Sequence, residues 1–137
     1  MPRAISGARL PAMNMILAIA AGGALGSVAR YLMAGQVGRW LGLEFPFGTL
    51  AVNVVGSLVM GLIVEAVARG VDLAPEWRAF LTIGILGGFT TFSAFSLDTA
   101  VLLERGAWGA AAAYVLASVV ASILGLFAGL WLVRLVA

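Results

Sequence analysis

Four long stretches without a charged residue dominate this chain of 137 residues. Each holds about 20 residues or more, which is the length a helix needs to cross a bilayer core about 30 Å thick. They lie between Arg9 and Arg30, Glu44 and Glu65, Arg78 and Asp98, and Arg105 and Arg134. We therefore predict an all-α membrane protein with four transmembrane helices, at about Met15–Ala34, Gly48–Ala68, Arg78–Leu103 and Trp108–Leu135.

The segments between these stretches are typical of short interhelical loops. Gln36–Pro46 and Arg69–Glu76 carry glycine, proline and charged residues. Glu104–Ala107 is so short that the third and fourth helices are expected to form an antiparallel hairpin. All four tryptophans lie at predicted helix ends, where indole rings favour the membrane–water interface.

The amino terminus admits two interpretations. Arg3 and Arg9 precede an apolar run, as in a signal peptide. The run is long, rich in glycine and followed by three more spans, which favours a retained first helix. We interpret residues 1–12 as a tail and residues 13–137 as a single transmembrane domain.

Composition excludes several classes of protein. Only 10% of the residues are charged and 63% are apolar, whereas about 25% are charged in a soluble domain. The absence of cysteine and histidine removes disulfides, Cys/His metal sites and the commonest acid–base side chain. All eight basic residues are arginines scattered singly, so no nucleic-acid-binding stripe is predicted. We expect neither an enzyme nor a nucleic-acid partner.

The arginines give only a weak orientation signal. Across four spans, five of them fall on the amino-terminal side and three, Arg30, Arg39 and Arg105, on the opposite side. The asymmetry of lysine and arginine sets membrane orientation. The split fits either an ordinary protein with few loop charges or a chain that inserts in both orientations and pairs antiparallel.

Pairs of small residues four apart occur in every predicted span, and such pairs let neighbouring helices approach closely. They predict tight self-association of the chain. The pairs are Gly22 and Gly26, Ser57 and Gly61, Gly84 and Gly88, and Gly125 and Gly129.

The densest feature is segment 84–96 of the third span, GILGGFTTFSAFS. Gly87 and Gly88, followed by two threonines and two serines, make a poor helix interior. Backbone breaks in mid-membrane only where protein or a water-filled cavity satisfies it, and transporters use such breaks to present carbonyls to ions. The alternative is a glycine-packed helix whose hydroxyls bond to the preceding turn. We favour a functional break, that is, a third helix broken mid-membrane.

An aromatic stripe follows this segment directly. Phe89, Phe92 and Phe95 share one helical face. Such a stripe is more commonly packing, but beside a break its positive ring edges favour an anion that has shed part of its water.

Polar side chains in the second and fourth spans are further candidates. Asn53 lies in mid-span on the same face as Thr49, and a buried amide in lipid needs a partner or a purpose. Tyr114, Ser118 and Ser122 form one hydroxyl stripe on the fourth helix. Both groups fit either interhelical hydrogen bonds or a polar track.

Charged residues lie near the ends of the spans, where they can extend to the interface. They include Glu65, Glu104, Arg134 and Arg30, of which Arg30 also has a possible anion-attracting role. Asp98 follows Phe95 by one turn and fits a vestibule. No acid lies at the middle of a span, which argues against proton-coupled or cation-antiport chemistry.

Three segments carry a family resemblance. They are Gly22-Gly23-x-x-Gly26-x-x-x-Arg30-Tyr31, Gly48-Thr49-Leu50-x-x-Asn53-x-x-Gly56 and Gly87-Gly88-Phe89-Thr90-Thr91-Phe92-Ser93-x-Phe95-Ser96. In this order they resemble the signature segments of the CrcB/Fluc family of fluoride channels, over about residues 15–135. The third segment is highly specific.

The resemblance implies an antiparallel, dual-topology homodimer with two pores and a structural sodium ion at its axis. The carbonyls of Gly87 and Thr90 are the implied sodium ligands. Phe89 and Asp98 depart from the residues common in the family, which leaves a vestibule role for Asp98 unassigned. The implied fluoride pathway contains Arg30, Asn53, Phe92, Phe95, Tyr114, Ser118 and Ser122, to which we add Thr49 because it shares a face with Asn53.

The resemblance implies a passive, fluoride-selective channel of the inner (plasma) membrane. It would export cytoplasmic fluoride and so give fluoride resistance, with fluoride, membrane lipid and a second copy of the chain as its partners. The alternative is a small dual-topology multidrug or cation antiporter, which needs a carboxylate in its first helix; Met15–Ala29 contains none. A structural membrane subunit without transport is a third hypothesis.

Overall fold

A computed structural model describes residues 13–136 of the chain. The predicted tail, residues 1–12, lies outside the described residues. Within the described part every regular element is helical, and four segments are long and apolar enough to cross a membrane. Three of them are continuous helices: α1 (Met13–Leu41), α2 (Phe47–Ala68) and α5 (Trp108–Val136). The four predicted spans are therefore confirmed.

The third span consists of two helices joined by an extended dipeptide. α3 covers residues 75–89 as an α-helical Pro75–Ala79, a π-helical Phe80–Leu86 and a last turn, Gly87–Phe89. Thr90 (φ −81°, ψ 156°) and Thr91 (φ −154°, ψ 120°) are extended, and α4 (Phe92–Glu104) follows. The predicted break is confirmed. It falls on the two threonines, because both glycines before them keep helical geometry.

α1 is longer than the sequence predicted. The predicted end was near Ala34, with a link from Gln36, but the helix continues to Leu41. It stops at Gly42, whose φ of 91° is left-handed and whose N–H donates to the Gly38 carbonyl at 2.9 Å. A glycine in this conformation is a common helix terminator, so the link shortens to residues 42–46.

Glycines bring the helices into backbone contact. α1 lies against α3, and α2 lies against α5. A methyl group at Gly22 or Gly26 of α1, or at Gly61 or Gly129 between α2 and α5, would collide with a facing backbone carbonyl. The small residues thus let helices of the same chain approach closely. The self-association predicted from them stays a prediction.

The buried core of the described residues is small and lies beside the break. Leu102, Ala111 and Tyr114 are its centre, and Phe45 and Phe95 are among the side chains packed against it. Elsewhere most large apolar side chains are exposed, such as Phe127 at 60%. A surface of this kind suits lipid or a further protein chain.

One end of α2 is joined to α5 by the ion pair of Glu65 with Arg134, and Glu65 also pairs with Arg69 at the end of α2. Glu65 is buried at 8% exposure, and its carboxylate lies 3.1 Å from Arg69 Nε and 2.9 Å from Arg134 Nε. At the opposite end of the molecule, Arg105 Nη2 lies 2.7 Å from Glu44 Oε2. The charges predicted near the span ends therefore include paired ones, since a buried carboxylate needs compensation.

Candidate functional site

The break in the third span is held by a side chain of α2. Asn53 Nδ2 donates to the Thr91 carbonyl at 3.0 Å, and the Thr91 N–H donates to Asn53 Oδ1 at 2.7 Å. These two bonds satisfy the N–H and the carbonyl of Thr91, which would otherwise lack partners inside a bilayer. Thr91 also caps α4, because its Oγ1 accepts from the Ala94 N–H at 3.1 Å. Of its two Nδ2 hydrogens, Asn53 keeps one for another acceptor.

A groove of about 410 Å³ opens beside this clamp. It lies between α2, the break, α4 and α5, and its walls are mostly apolar with a few polar groups. The structure brings five of the predicted pathway residues to it: Asn53, Phe92, Phe95, Ser118 and Ser122.

The aromatic rings form one side of the groove. Phe92 is 78% exposed, whereas Phe95 is half-buried, and their ring centroids are 5.3 Å apart. Tyr114 packs behind Phe95 at 5.3 Å and meets Phe45 edge-on at 5.6 Å. Phe92 thus presents its ring outward, and Phe95 is supported from behind.

The predicted hydroxyl stripe divides into two environments. Ser118 and Ser122 line the groove, but Tyr114 is fully buried and donates to Asp98 Oδ2 at 3.1 Å. Ser118 is 5% exposed, and its hydroxyl has no hydrogen-bond partner among residues 13–136. An unpaired buried hydroxyl is costly unless something else binds it.

Arg30 and Thr49 lie in a separate depression of about 350 Å³. Ser27 and Tyr31 of α1 share it, and Thr91 borders both this depression and the groove. Arg30 and Thr49 therefore line this depression and not the groove. That Arg30 and Thr49 belong to the fluoride pathway stays a prediction.

The break changes the hydrogen bonding of two carbonyls. In an uninterrupted α-helix the Thr91 N–H would donate to the Gly87 carbonyl, and the Ala94 N–H to the Thr90 carbonyl. Here these donors go instead to Asn53 Oδ1 and to Thr91 Oγ1. Gly87 and Thr90 thus lose their usual helical donors. Their carbonyls are the two that the family resemblance implies as sodium ligands.

Sequence reasoning missed several members of the site. From the sequence, Thr91 is identified only as part of a hydroxyl-rich segment. That Thr91 caps α4 is not predicted, although threonine is a common capping residue at the start of a helix. Ser57 and Met60, which line the groove from α2, gave no signal beyond the small-residue spacing of Ser57. Their place depends on which face of α2 turns towards the groove, and that is a tertiary property.

A broken span beside a partly polar groove, in a multi-pass helical membrane protein, is typical of the class of proteins that move ions or small solutes. Comparison with known proteins narrows this class. The family model described as "CrcB-like protein, Camphor Resistance (CrcB)" matches residues 17–130. The chain belongs to the CrcB family.

Curated relatives support the assignment at high identity. A Rhodospirillum centenum protein is 61% identical over 122 residues, which cover 89% of this chain and 97% of the relative. A Chelativorans protein is 60% identical and one from Agrobacterium fabrum 57%, each over 89% of this chain and 98% of the relative. All three are named fluoride-specific ion channel FluC. This family is not one of enzymes, which agrees with the composition.

Proposed function

We propose that this chain is a passive fluoride-selective channel of the inner (plasma) membrane, which exports cytoplasmic fluoride and thereby gives resistance to it. The observation that carries the proposal is the 61% identity, over nearly the whole chain, to a relative named as a fluoride-specific channel. The groove beside the break supports it, because it gathers an amide, several hydroxyls and two phenyl rings.

The chemistry of fluoride fits such a lining. Fluoride is small and strongly hydrated, so a pore must replace its water stepwise with N–H, O–H and polarised C–H groups. A phenyl ring offers its positive edge to an anion, and the remaining Asn53 N–H and the Ser118 hydroxyl offer donors. Among residues 13–136, no arginine lines the groove. Binding that is favourable yet weak lets the ion leave again, which conduction requires.

A second copy of the chain, arranged antiparallel, completes the proposed channel. One chain leaves the groove open on one side, and Phe92 is largely exposed there. The five-to-three arginine split gives little preference for one orientation, which supports insertion both ways. Two opposed copies would then line two pores.

The same dimer would hold a structural sodium ion. The Gly87 and Thr90 carbonyls fit this role, because both have lost their helical donors and carbonyls of unwound segments bind sodium in other membrane proteins. When bound, the ion would neutralise the facing carbonyl dipoles at the dimer axis and add positive potential near the anion pathway. Membrane lipid would cover the remaining exposed apolar side chains.

Fluoride efflux from liposomes tests the proposed function. Purified protein is reconstituted with internal potassium fluoride, and a fluoride electrode follows release after valinomycin is added. We expect rapid efflux that needs valinomycin and is independent of a pH gradient. Proton-driven cation exchange in the same vesicles would instead support the antiporter, and the absence of both activities would favour a structural subunit.

A further inference from the structure

The Asn53 carboxamide and the Thr91 peptide unit form a reciprocal pair. Each contributes one N–H donor and one oxygen acceptor, with distances of 3.0 and 2.7 Å. Thr91 is 9% exposed, and Asn53 is half-buried. The amide is therefore engaged with the junction of α3 and α4, and its Oδ1 is not a free groove atom.

This pair determines which acceptor the Thr91 N–H uses. The alternative acceptor along the chain is the Gly87 carbonyl, four residues earlier, which would close one more helical turn. A buried N–H does not stay unpaired, so loss of Asn53 would favour that turn. The Gly87 carbonyl would then be occupied by a hydrogen bond.

We infer that Asn53 is a positioning residue for the cation site, and that it holds the third span open by drawing the Thr91 N–H away from the Gly87 carbonyl. The inference rests on the sodium ion of the proposed function. This role is separate from donating a hydrogen bond to fluoride, because Asn53 Oδ1 accepts from Thr91 whereas Nδ2 would donate to the ion.

The dependence of thermal unfolding on sodium tests this role without any measurement of transport. Protein purified in detergent is melted over a range of NaCl, with N-methylglucamine chloride keeping ionic strength constant. The wild-type melting temperature should rise with sodium. Asn53→Leu keeps the volume but loses both bonds, so its sodium midpoint should increase about tenfold or more.

Two further variants sharpen the comparison. Asn53→Asp keeps an oxygen that accepts from Thr91 in either protonation state, so its midpoint should not increase by more than about threefold. Ser57→Ala is the matched control: Ser57 lies one turn away on the same groove wall, and no hydrogen bond of its hydroxyl occurs among residues 13–136. Its sodium midpoint should equal that of the wild type.

A wild-type sodium midpoint in Asn53→Leu would overturn the inference. If that variant is not recovered folded, Asn53→Ala replaces it with the same expectation. Wild-type protein that conducts fluoride but melts independently of sodium would also overturn it, while the proposed channel stands. Sodium-dependent melting that Asn53→Leu weakens, in a protein without fluoride flux, would uphold the inference and refute the channel.

Discussion

At the scale of single residues, the two groove phenylalanines differ in what their replacement should do. Phe92 is 78% exposed, so Phe92→Ile removes little packing, whereas Phe95 supports Tyr114 in the core. Both changes remove a polarised ring edge. We expect fluoride flux in liposomes to fall about tenfold or more for each, which corresponds to about 1.4 kcal/mol at the barrier.

Thermal unfolding of the same two variants distinguishes the loss of a polarised ring edge from the loss of side-chain packing. Phe92→Ile should melt like the wild type, and Phe95→Ile should melt somewhat lower because its contact with Tyr114 is lost. Normal flux in both variants would mean that the rings only pack.

A second prediction at this scale concerns the stability and fluoride flux of Ser118→Ala. Its hydroxyl is buried without a partner among residues 13–136, so Ser118→Ala loses no hydrogen bond within the chain. Relief of an unpaired hydroxyl is worth about 1–3 kcal/mol, and the melting temperature should stay the same or rise. Fluoride flux should fall, since the hydroxyl is a donor in the groove. A variant that melts well below the wild type would show that the hydroxyl has a structural partner.

At the scale of helices, the glycine contacts predict which substitutions the fold tolerates. A Cβ at Gly129 would lie 2.8 Å from the Leu62 backbone nitrogen, whereas one at Gly109 of the same helix meets no described residue within 4 Å. Gly129→Ala should lower stability by about 1–3 kcal/mol through overpacking. Gly109→Ala is the control and should be neutral or stabilising, because alanine favours helix. Equal melting temperatures for both would contradict the close contact of α2 and α5.

The helices also show what could be predicted from sequence. The number of spans followed from charge-free length, and the break followed from glycine and hydroxyl density. Two features did not follow. The end of α1 at Gly42 rather than near Ala34 depended on a terminating glycine beyond the apolar stretch, and the π-helical Phe80–Leu86 carries no distinguishing composition.

The candidate site could be predicted from the sequence only in part, because it too depends on how the helices pack. Residue types made Asn53, Phe92, Phe95, Ser118 and Ser122 candidates, and the family resemblance placed them in a fluoride pathway. The structure gathers these five at one groove. The partner of Asn53 was not predictable, because a reciprocal bond with the Thr91 backbone depends on how α2 docks against the break.

At the scale of the whole molecule, the proposed antiparallel dimer makes a topological prediction. A tag at the carboxyl terminus should be accessible from both sides of the membrane in one cell population, because the arginine bias is weak. A tandem fusion of two copies should conduct only when an additional transmembrane helix joins them, since four spans return the chain to its starting side. A directly fused pair that conducts, or a tag on one side only, would contradict the antiparallel arrangement.

The Asn53–Thr91 pair has a consequence for the order in which the protein is made. Asn53 leaves the ribosome 38 residues before Thr91, so the second span is already in the membrane when the third arrives. Until the two dock, the Thr91 N–H has only its own helix to bond to, and the third span should enter the bilayer as one unbroken helix. A synthetic peptide of residues 75–104 in micelles should therefore protect the Thr91 amide from hydrogen exchange as an ordinary helical one. Breaking the helix would then be a late, post-insertion step of maturation, taken when the second span offers its amide.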